Sequence, residues 1–271
     1  MEKLTEQLDH FINRLDHSDN FRDELAKVQS IYPFSKYEYI ISTLLARDKL
    51  SFDEYLQIRD EYINRNLYLY IFEITAPRGF GDTWALGHLL ALESELKRPT
   101  RKLDPAYNGE YDLFLNWLDS NGGNHHIKIE VKASRANDRE RNDEPLYIKA
   151  LSSDSQRPFL MNYQQMKPSC CDVFLWIAVY RDAIKYWIIN ANAIQLHRDF
   201  TPQHRNETTA GRGKDYRKED IFEGQIMMTE KNVHAFDQFL ATGKELKQAI
   251  IEQYKIQLKS NDSSRTFRPS R

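Results

Sequence analysis

Two carboxylates and a lysine near the middle of the chain have the types and spacing of a site that cleaves phosphodiesters. Apolar and charged residues alternate along Ile127–Ala133, so Glu130 and Lys132 share one face of a predicted strand, about 7 Å apart. Asp112 precedes Glu130 by eighteen residues, on another strand candidate. Carboxylate oxygens hold Mg²⁺, which polarises a phosphate and lowers the pKa of a bound water. A nearby lysine positions that water or stabilises the charge that grows on the phosphate. We predict Asp112 and Glu130 as metal ligands, together with the carbonyl of Val131.

A β-hairpin has to bring these side chains together. Tyr111–Leu118 and Ile127–Ala133 are the strand candidates, and the residues from Asp119 to Asn124 between them have strong turn chemistry. The sequence therefore predicts that the two strands pair in an antiparallel fashion.

The length of the hairpin loop decides whether the site exists. A two-residue turn at Gly122-Gly123 would place Asp112 opposite Ala133 and separate the two carboxylates across the sheet. A loop of three or five residues places Asp112 opposite Lys132, with Glu130 diagonal to it. The hypothesis requires an odd loop or a bulge.

The surrounding pattern predicts an α/β fold whose core is a mixed sheet, with an N-terminal helical subdomain. Helical spacing continues to about residue 75 and includes a capping box at Ser51–Glu54. Further helices are predicted at Asp82–Lys97, Asn162–Met166 and Val233–Gln257, and buried strands at Asp172–Tyr180 and Ile184–Ile189.

The order of Tyr111-Asp112, an intervening hairpin and Glu130-Val-Lys132 resembles the PD-(D/E)XK nuclease superfamily, with tyrosine where the family name has proline. The resemblance implies a restriction-endonuclease-like core, in which a mixed central sheet is flanked by helices. By resemblance, Asp112 and Glu130 bind the metal and Lys132 is the catalytic lysine. The family often adds a glutamate from the preceding helix, for which Glu93 and Glu95 both qualify.

Further segments extend the resemblance over about residues 78–190. They are Phe80–Trp84, Asn162–Pro168, Cys171–Trp176 and Lys185–Ile188. The resemblance implies a type II restriction endonuclease that uses Mg²⁺ to hydrolyse double-stranded DNA at a specific sequence. It also implies a homodimer and a cognate DNA methyltransferase as genetic partner. Two alternatives remain: a structure-specific repair, recombination or phage nuclease, and a non-catalytic DNA-binding or assembly protein on a decayed nuclease core.

The distribution of charge suits an enzyme that grips nucleic acid on one face. The net charge is −2, but residues 197–218 hold six Lys/Arg against three acids, and residues 259–271 hold four against one. A set of polar and basic residues is predicted to contact DNA, although each could equally be solvent-exposed. They are Ser134, Arg135, Gln165, Arg205, Arg212 and Lys214.

Three segments are expected along the chain. Residues 1–75 would form the helical subdomain for dimerisation or DNA clasping, residues 76–258 the nuclease core, and residues 259–271 a disordered basic tail. The N-terminus does not read as a signal peptide, and no apolar run is long enough to cross a bilayer. We therefore expect a cytoplasmic protein without a membrane partner.

Overall fold

A computed structural model describes residues 44–54, 66–203 and 217–265 of the chain. The strands are β1 (Leu113–Leu118), β2 (Asn124–Arg135), β3 (Asn137–Asp138), β4 (Phe159–Met166), β5 (Val173–Val179), β6 (Ile184–Asn190), β7 (Thr201–Pro202), β8 (Gly224–Met228) and β9 (Leu240–Ala241). The α-helices are α1 (Leu86–Leu92), α2 (Ala191–Gln195) and α3 (Leu246–Arg265), and a π-helical segment, Gly79–Ala85, leads into α1. Short 3-10 helices cover Leu69–Glu73, Pro168–Cys170, Lys218–Asp220, Val233–Phe239 and Gly243–Glu245. Within the described ranges, no helix has the length and apolar character needed to span a membrane.

The central sheet is mixed, as the sequence predicts. Its strand order is β1-β2-β5-β6-β9, with β2 and β5 parallel and the other neighbours antiparallel. A parallel pair needs a long crossover, and the crossover from β2 to β5 contains β3 and β4. β5 is buried along its whole length, which explains its continuous apolar sequence.

Alternate residues of the central strands pack into two different cores. On β5, Leu175 and Ile177 belong to the cluster formed with α1 and α3, whereas Phe174 and Trp176 belong to the cluster on the other face. Helices therefore cover one face of the sheet.

A second sheet, of order β3-β4-β8-β7, supplies the layer over the other face. Tyr163 of β4 stacks on Trp176 of β5, with ring centroids 4.2 Å apart. Ile226 of β8 is fully buried in the same cluster. Glu130 and Lys132 of β2 thus lie in a sheet that is packed on both sides.

The structure corrects three predicted elements. Asn162–Met166 is part of strand β4 and not a helix, because its pairing with β8 overrides local propensity. The helix predicted at Asp82–Lys97 ends at Leu92. The C-terminal segment Val233–Gln257 is mostly helical but contains the short strand β9, and α3 continues to Arg265, into the segment predicted as a disordered tail.

The predicted N-terminal subdomain falls largely outside the described residues. Its capping box at Ser51 is present, because Ser51 and Glu54 bond reciprocally. Ile71 and Phe72, however, are fully buried in the same cluster as α1 and α3. This end of the predicted subdomain therefore belongs to the core, and the boundary at residue 75 is placed too late.

Candidate active site

The hairpin that carries the predicted site has an odd loop. Leu118 pairs with Asn124, which leaves the five residues 119–123 between the strands. The Asp119 carboxylate accepts hydrogen bonds from the N–H groups of Asn121 and Gly123, at 2.8 and 2.7 Å, and so orders the turn. Gly122 has a φ of 82°, which favours glycine. The required odd loop is confirmed.

The register brings Asp112 opposite Glu130. The last pair of the ladder is Leu113 with Ile129, and the Asp112 N–H donates to the Ile129 carbonyl at 3.0 Å. Residues that face each other across an antiparallel pair lie on the same side of the sheet. The sequence predicts Asp112 opposite Lys132, with Glu130 diagonal to it. The observed register instead places the two carboxylates directly opposite each other.

β2 is twice as long as β1, and its second half extends beyond the hairpin ladder. There the Val131 N–H donates to Oδ2 of Asp112 at 2.8 Å. The N–H and C=O of one strand residue point to the same strand edge, so the Val131 carbonyl faces the edge where the Asp112 carboxylate lies. This placement fits the predicted role of that carbonyl as a ligand.

Glu130 and Lys132 form a direct ion pair on one face of β2. Lys132 Nζ lies 2.8 Å from Glu130 Oε1, and both side chains are more than four-fifths buried. Burial raises the pKa of Glu130 to about 7, although Lys132 acts in the opposite direction, and nearby Asp112 raises it further. Glu130 therefore changes charge near neutral pH, and perturbed pKa values of this kind cluster at functional sites.

Asp112 is also a buried acid. Burial raises its pKa, the Val131 N–H and Lys132 lower it, and the charge of Asp82 raises it. Among the described residues, Lys132 pairs directly with Glu130 and acts on Asp112 only through its charge. Such an arrangement leaves negative charge to be compensated when both acids are ionised, and a divalent cation would supply that compensation.

The donor set fits Mg²⁺ better than a softer metal. No group of three or more His, Cys, Asp and Glu side chains with metal-binding geometry occurs in the described part of the chain. Mg²⁺ needs only one or two protein carboxylates, because it keeps several waters and takes phosphate oxygens. Asp112, Glu130 and the Val131 carbonyl are therefore sufficient as the protein's share of its ligands.

The acidic side chain of this helical unit that lines the cleft is Asp82. Asp82 lies in the π-helical segment Gly79–Ala85, lines the same cleft as Asp112, and is close enough to raise the pKa of Asp112. Of the predicted candidates, Glu93 lies at the end of α1 and accepts a bond from the Glu95 N–H, while Glu95 pairs with Lys247. Neither lines the cleft.

The signal for Asp82 was present in the sequence. It lies within Phe80–Trp84, a segment that already resembled the start of the nuclease core. The predicted helix continues to Lys97 and so includes the two glutamates, Glu93 and Glu95, that match the residue type suggested by the resemblance. In a π-helical turn, hydrogen bonds join residues that are five apart and not four apart. A projection with α-helical spacing therefore gives wrong directions for the side chains that precede the turn.

The site opens into a cleft of about 370 Å³ between the π-helical segment and β4. The second half of β2, beyond its pairing with β1, runs along this cleft, and Asp112 and Lys132 line it. Of the predicted DNA contacts, Ser134, Arg135 and Gln165 also line the cleft. Arg205, Arg212 and Lys214 lie outside the described residues.

Comparison of the chain with protein-family models, with curated proteins and with solved structures found no match.

Proposed function

We propose that the protein is a Mg²⁺-dependent endonuclease that hydrolyses phosphodiester bonds of double-stranded DNA. The observation that carries this proposal is the meeting of Asp112, Glu130 and Lys132 at one end of a hairpin, beside a cleft that also contains Asp82. This arrangement supports a core of the restriction-endonuclease type.

Each side chain has a distinct task in this proposal. Asp112 and Glu130 hold the cation, the Val131 N–H fixes the orientation of Asp112, and the Lys132 ammonium faces the cleft where a phosphate would lie. The bound Mg²⁺ would supply Lewis acidity at the phosphate. The protein contributes a preorganised, partly buried setting in which charges act strongly and need little reorganisation.

Glu130 and Lys132 shield each other in the metal-free protein. With Glu130 engaged as a metal ligand, the Lys132 ammonium would be less tightly paired and could contact phosphate oxygens in the cleft. The same lysine is then able to position the attacking water or to stabilise the charge of the phosphorane. The ion pair at 2.8 Å is therefore compatible with a catalytic lysine.

The proposal is tested with purified protein and supercoiled plasmid DNA. The wild-type protein should nick or linearise the plasmid with Mg²⁺ and not with excess chelator. Asp112→Asn should abolish cleavage, whereas Asp237→Asn, which changes an exposed acid paired with His234, should not. Absence of Mg²⁺-dependent cleavage by the wild-type protein, or full cleavage by the Asp112 variant, would contradict the proposal.

Restriction-type specificity, the homodimer and the partner methyltransferase remain predictions. Discrete fragments from plasmid and phage DNA would support cleavage at a specific sequence, and a smear or cuts confined to branched DNA would favour the structure-specific alternative. Binding of Mg²⁺ without any cleavage would favour the decayed nuclease core.

A further inference from the structure

Strand β4 turns its amide side chains toward the cleft. Met161 and Tyr163 are buried in the core, so the alternate residues Asn162 and Gln164 face the other way and line the cleft. By the same alternation Gln165 would point into the core. A register shift between Tyr163 and Met166 prevents this, and Gln165 is exposed in the cleft with a φ of 54°.

The irregularity is a β-bulge with a backbone conformation that glutamine rarely adopts. It is held in place by Gln203, whose side-chain oxygen accepts a bond from the Gln165 N–H at 2.6 Å. Bulges of this kind re-aim side chains next to functional sites. Here the bulge places Gln164 and Gln165, neighbours in sequence, on the same open surface.

Two of the asparagines that line the cleft, one of them Asn162, have side-chain oxygens without a hydrogen-bond partner. The Oδ1 atoms of Asn137 and Asn162 are buried and have no hydrogen-bond partner. Both residues line the cleft. A buried polar atom without a partner costs free energy, and a ligand that offers hydrogen-bond donors would remove that cost.

The amide side chains of β4 lie next to the end of the row that Glu130, Lys132 and Ser134 form along β2. Glu130, Lys132 and Ser134 share one face of β2, and the Asn162 N–H donates to Oγ of Ser134 at 3.0 Å. Successive residues on one face of a strand are about 7 Å apart, which is close to the spacing of neighbouring phosphates along a DNA strand. The amides are thus placed to meet nucleotides next to the one at Lys132.

Among the described residues, Arg135 is the arginine that lines the cleft, and its guanidinium is engaged within the protein. Arg135 lies over the Phe80 ring, 4.1 Å from its centre, and donates to the carbonyls of Ile71 and Ile74. In the major groove, arginine and lysine select guanine, whereas asparagine and glutamine bond the N6 and N7 of adenine. With Arg135 so held, the remaining polar surface of this wall is suited to adenine.

We propose that Asn162 and Gln164, supported by Asn137 and the bulged Gln165, read the edge of an adenine beside the scissile phosphate. This inference rests on the proposed nuclease function and adds to it the identity of one recognised base. The bulge brings Gln164 and Gln165 to the surface of the cleft beside Asn162. An amide nitrogen there would donate to N7 of adenine, and the amide oxygen would accept from its N6 amino group.

The inference is tested by selection of DNA with a cleavage-defective protein. Lys132→Ala is incubated with a pool of randomised duplexes in Ca²⁺, and bound duplexes are sequenced. The enriched sequence should contain an A·T pair at a fixed position. Adding Asn162→Ala and Gln164→Ala should reduce the preference for that pair by about 10- to 100-fold. Gln248→Ala, which removes an exposed amide from α3, should leave the preference unchanged.

A second measurement uses no change in the reading residues. Replacing the selected adenine with 7-deazaadenine removes the N7 acceptor and should weaken binding by about tenfold or more. No enriched sequence, an enriched sequence without an A·T pair, a double variant that behaves like Gln248→Ala, or equal binding to the 7-deaza duplex would each overturn the inference. Failure of the nuclease proposal is seen separately, as a lack of Mg²⁺-dependent plasmid cleavage by the wild-type protein.

Discussion

The ammonium of Lys132 lies 2.8 Å from the carboxylate of Glu130, two residues away on the same face of β2. Both groups are largely buried, and the charge of Lys132 favours the ionised form of Glu130, against the effect of burial. The roles proposed for Lys132 in catalysis and for Glu130 in metal binding have consequences for activity and for stability, and the two can be measured independently.

Removing the lysine should stop the reaction and spare the binding of DNA. Lys132→Ala should lower the rate of Mg²⁺-dependent plasmid cleavage by at least about 100-fold, because it removes a cation that stabilises charge in the transition state. Fluorescence anisotropy with labelled duplexes in Ca²⁺ should show affinity within a few-fold of the wild type. Lys185→Ala serves as the control. Lys185 lies on β6, and its ammonium is over the ring of Tyr180. Rapid cleavage by the Lys132 variant would rule out the assigned role.

The raised pKa of Glu130 should give the metal-free protein a characteristic dependence on pH. The folded value is about 7 and the ordinary value 4.5, so between these values the folded state holds a proton that the unfolded state releases. The contribution of Glu130 to stability is therefore present at acidic pH and is lost as pH rises through about 7. Chemical denaturation between about pH 5 and about pH 8 should show this loss, and Glu130→Gln should reduce it.

The same proton opposes binding of the metal. Affinity for Mg²⁺ or Mn²⁺, measured by calorimetry, should increase as pH rises toward about 7 and then level off, because the ligand must be deprotonated. The Glu130→Gln variant should bind the metal weakly at every pH. A metal affinity that is independent of pH in the wild-type protein would contradict the assignment of Glu130 as a ligand.

Asp82 should matter for the metal, although it was not among the residues predicted from the sequence. Asp82→Asn removes a negative charge that acts on Asp112, and it should raise the Mg²⁺ concentration needed for half-maximal cleavage by about tenfold or more. Glu93→Gln is the matched change at the other end of the same helical unit and should have no such effect. Equal metal dependence of the two variants would remove Asp82 from the site.

The strand that supports the bulge should be sensitive to a single added methyl group. A Cβ on Gly224 would lie 2.4 Å from a ring carbon of Phe200 and 2.6 Å from the Thr201 carbonyl oxygen. Gly224→Ala should lower the free energy of unfolding by about 1–3 kcal/mol through overpacking. Gly87→Ala meets nothing within 4 Å, and at its helical position it should be neutral or stabilising by up to about 1 kcal/mol. Denaturant titration compares the two variants.

The sequence was informative where a pattern is local and regular. The alternation along Ile127–Ala133 and the apolar runs of β5 and β6 correctly predicted the strands that carry and flank the site. The odd loop was correctly required, but its five-residue form, and with it the pairing of Asp112 with Glu130, depends on hydrogen bonds of the Asp119 side chain. Turn composition alone does not distinguish those registers.

Elements that depend on distant partners were not accessible from the sequence. β4 was predicted as a helix because its alternation is interrupted by the bulge at Gln165, and its partner β8 lies about sixty residues later in the chain. Asp82 is absent from the predicted site because the resemblance suggests a glutamate from this helix, and the glutamates of the predicted helix are Glu93 and Glu95. Asp82 and the residues around the bulge of β4 both line the cleft. At these places the regular α-helix and the regular strand are interrupted by a π-helical turn and by a bulge.

The π-helical segment Gly79–Ala85 has an evolutionary consequence. Such a turn holds one residue more than the α-helical turn it replaces, and one residue corresponds to about 100° of rotation. Losing that residue would swing Asp82 away from Asp112 while α1 kept its packing on the sheet. Insertion or deletion at this point is therefore a one-step route by which relatives of this chain would gain or lose the third acidic group without altering the hairpin.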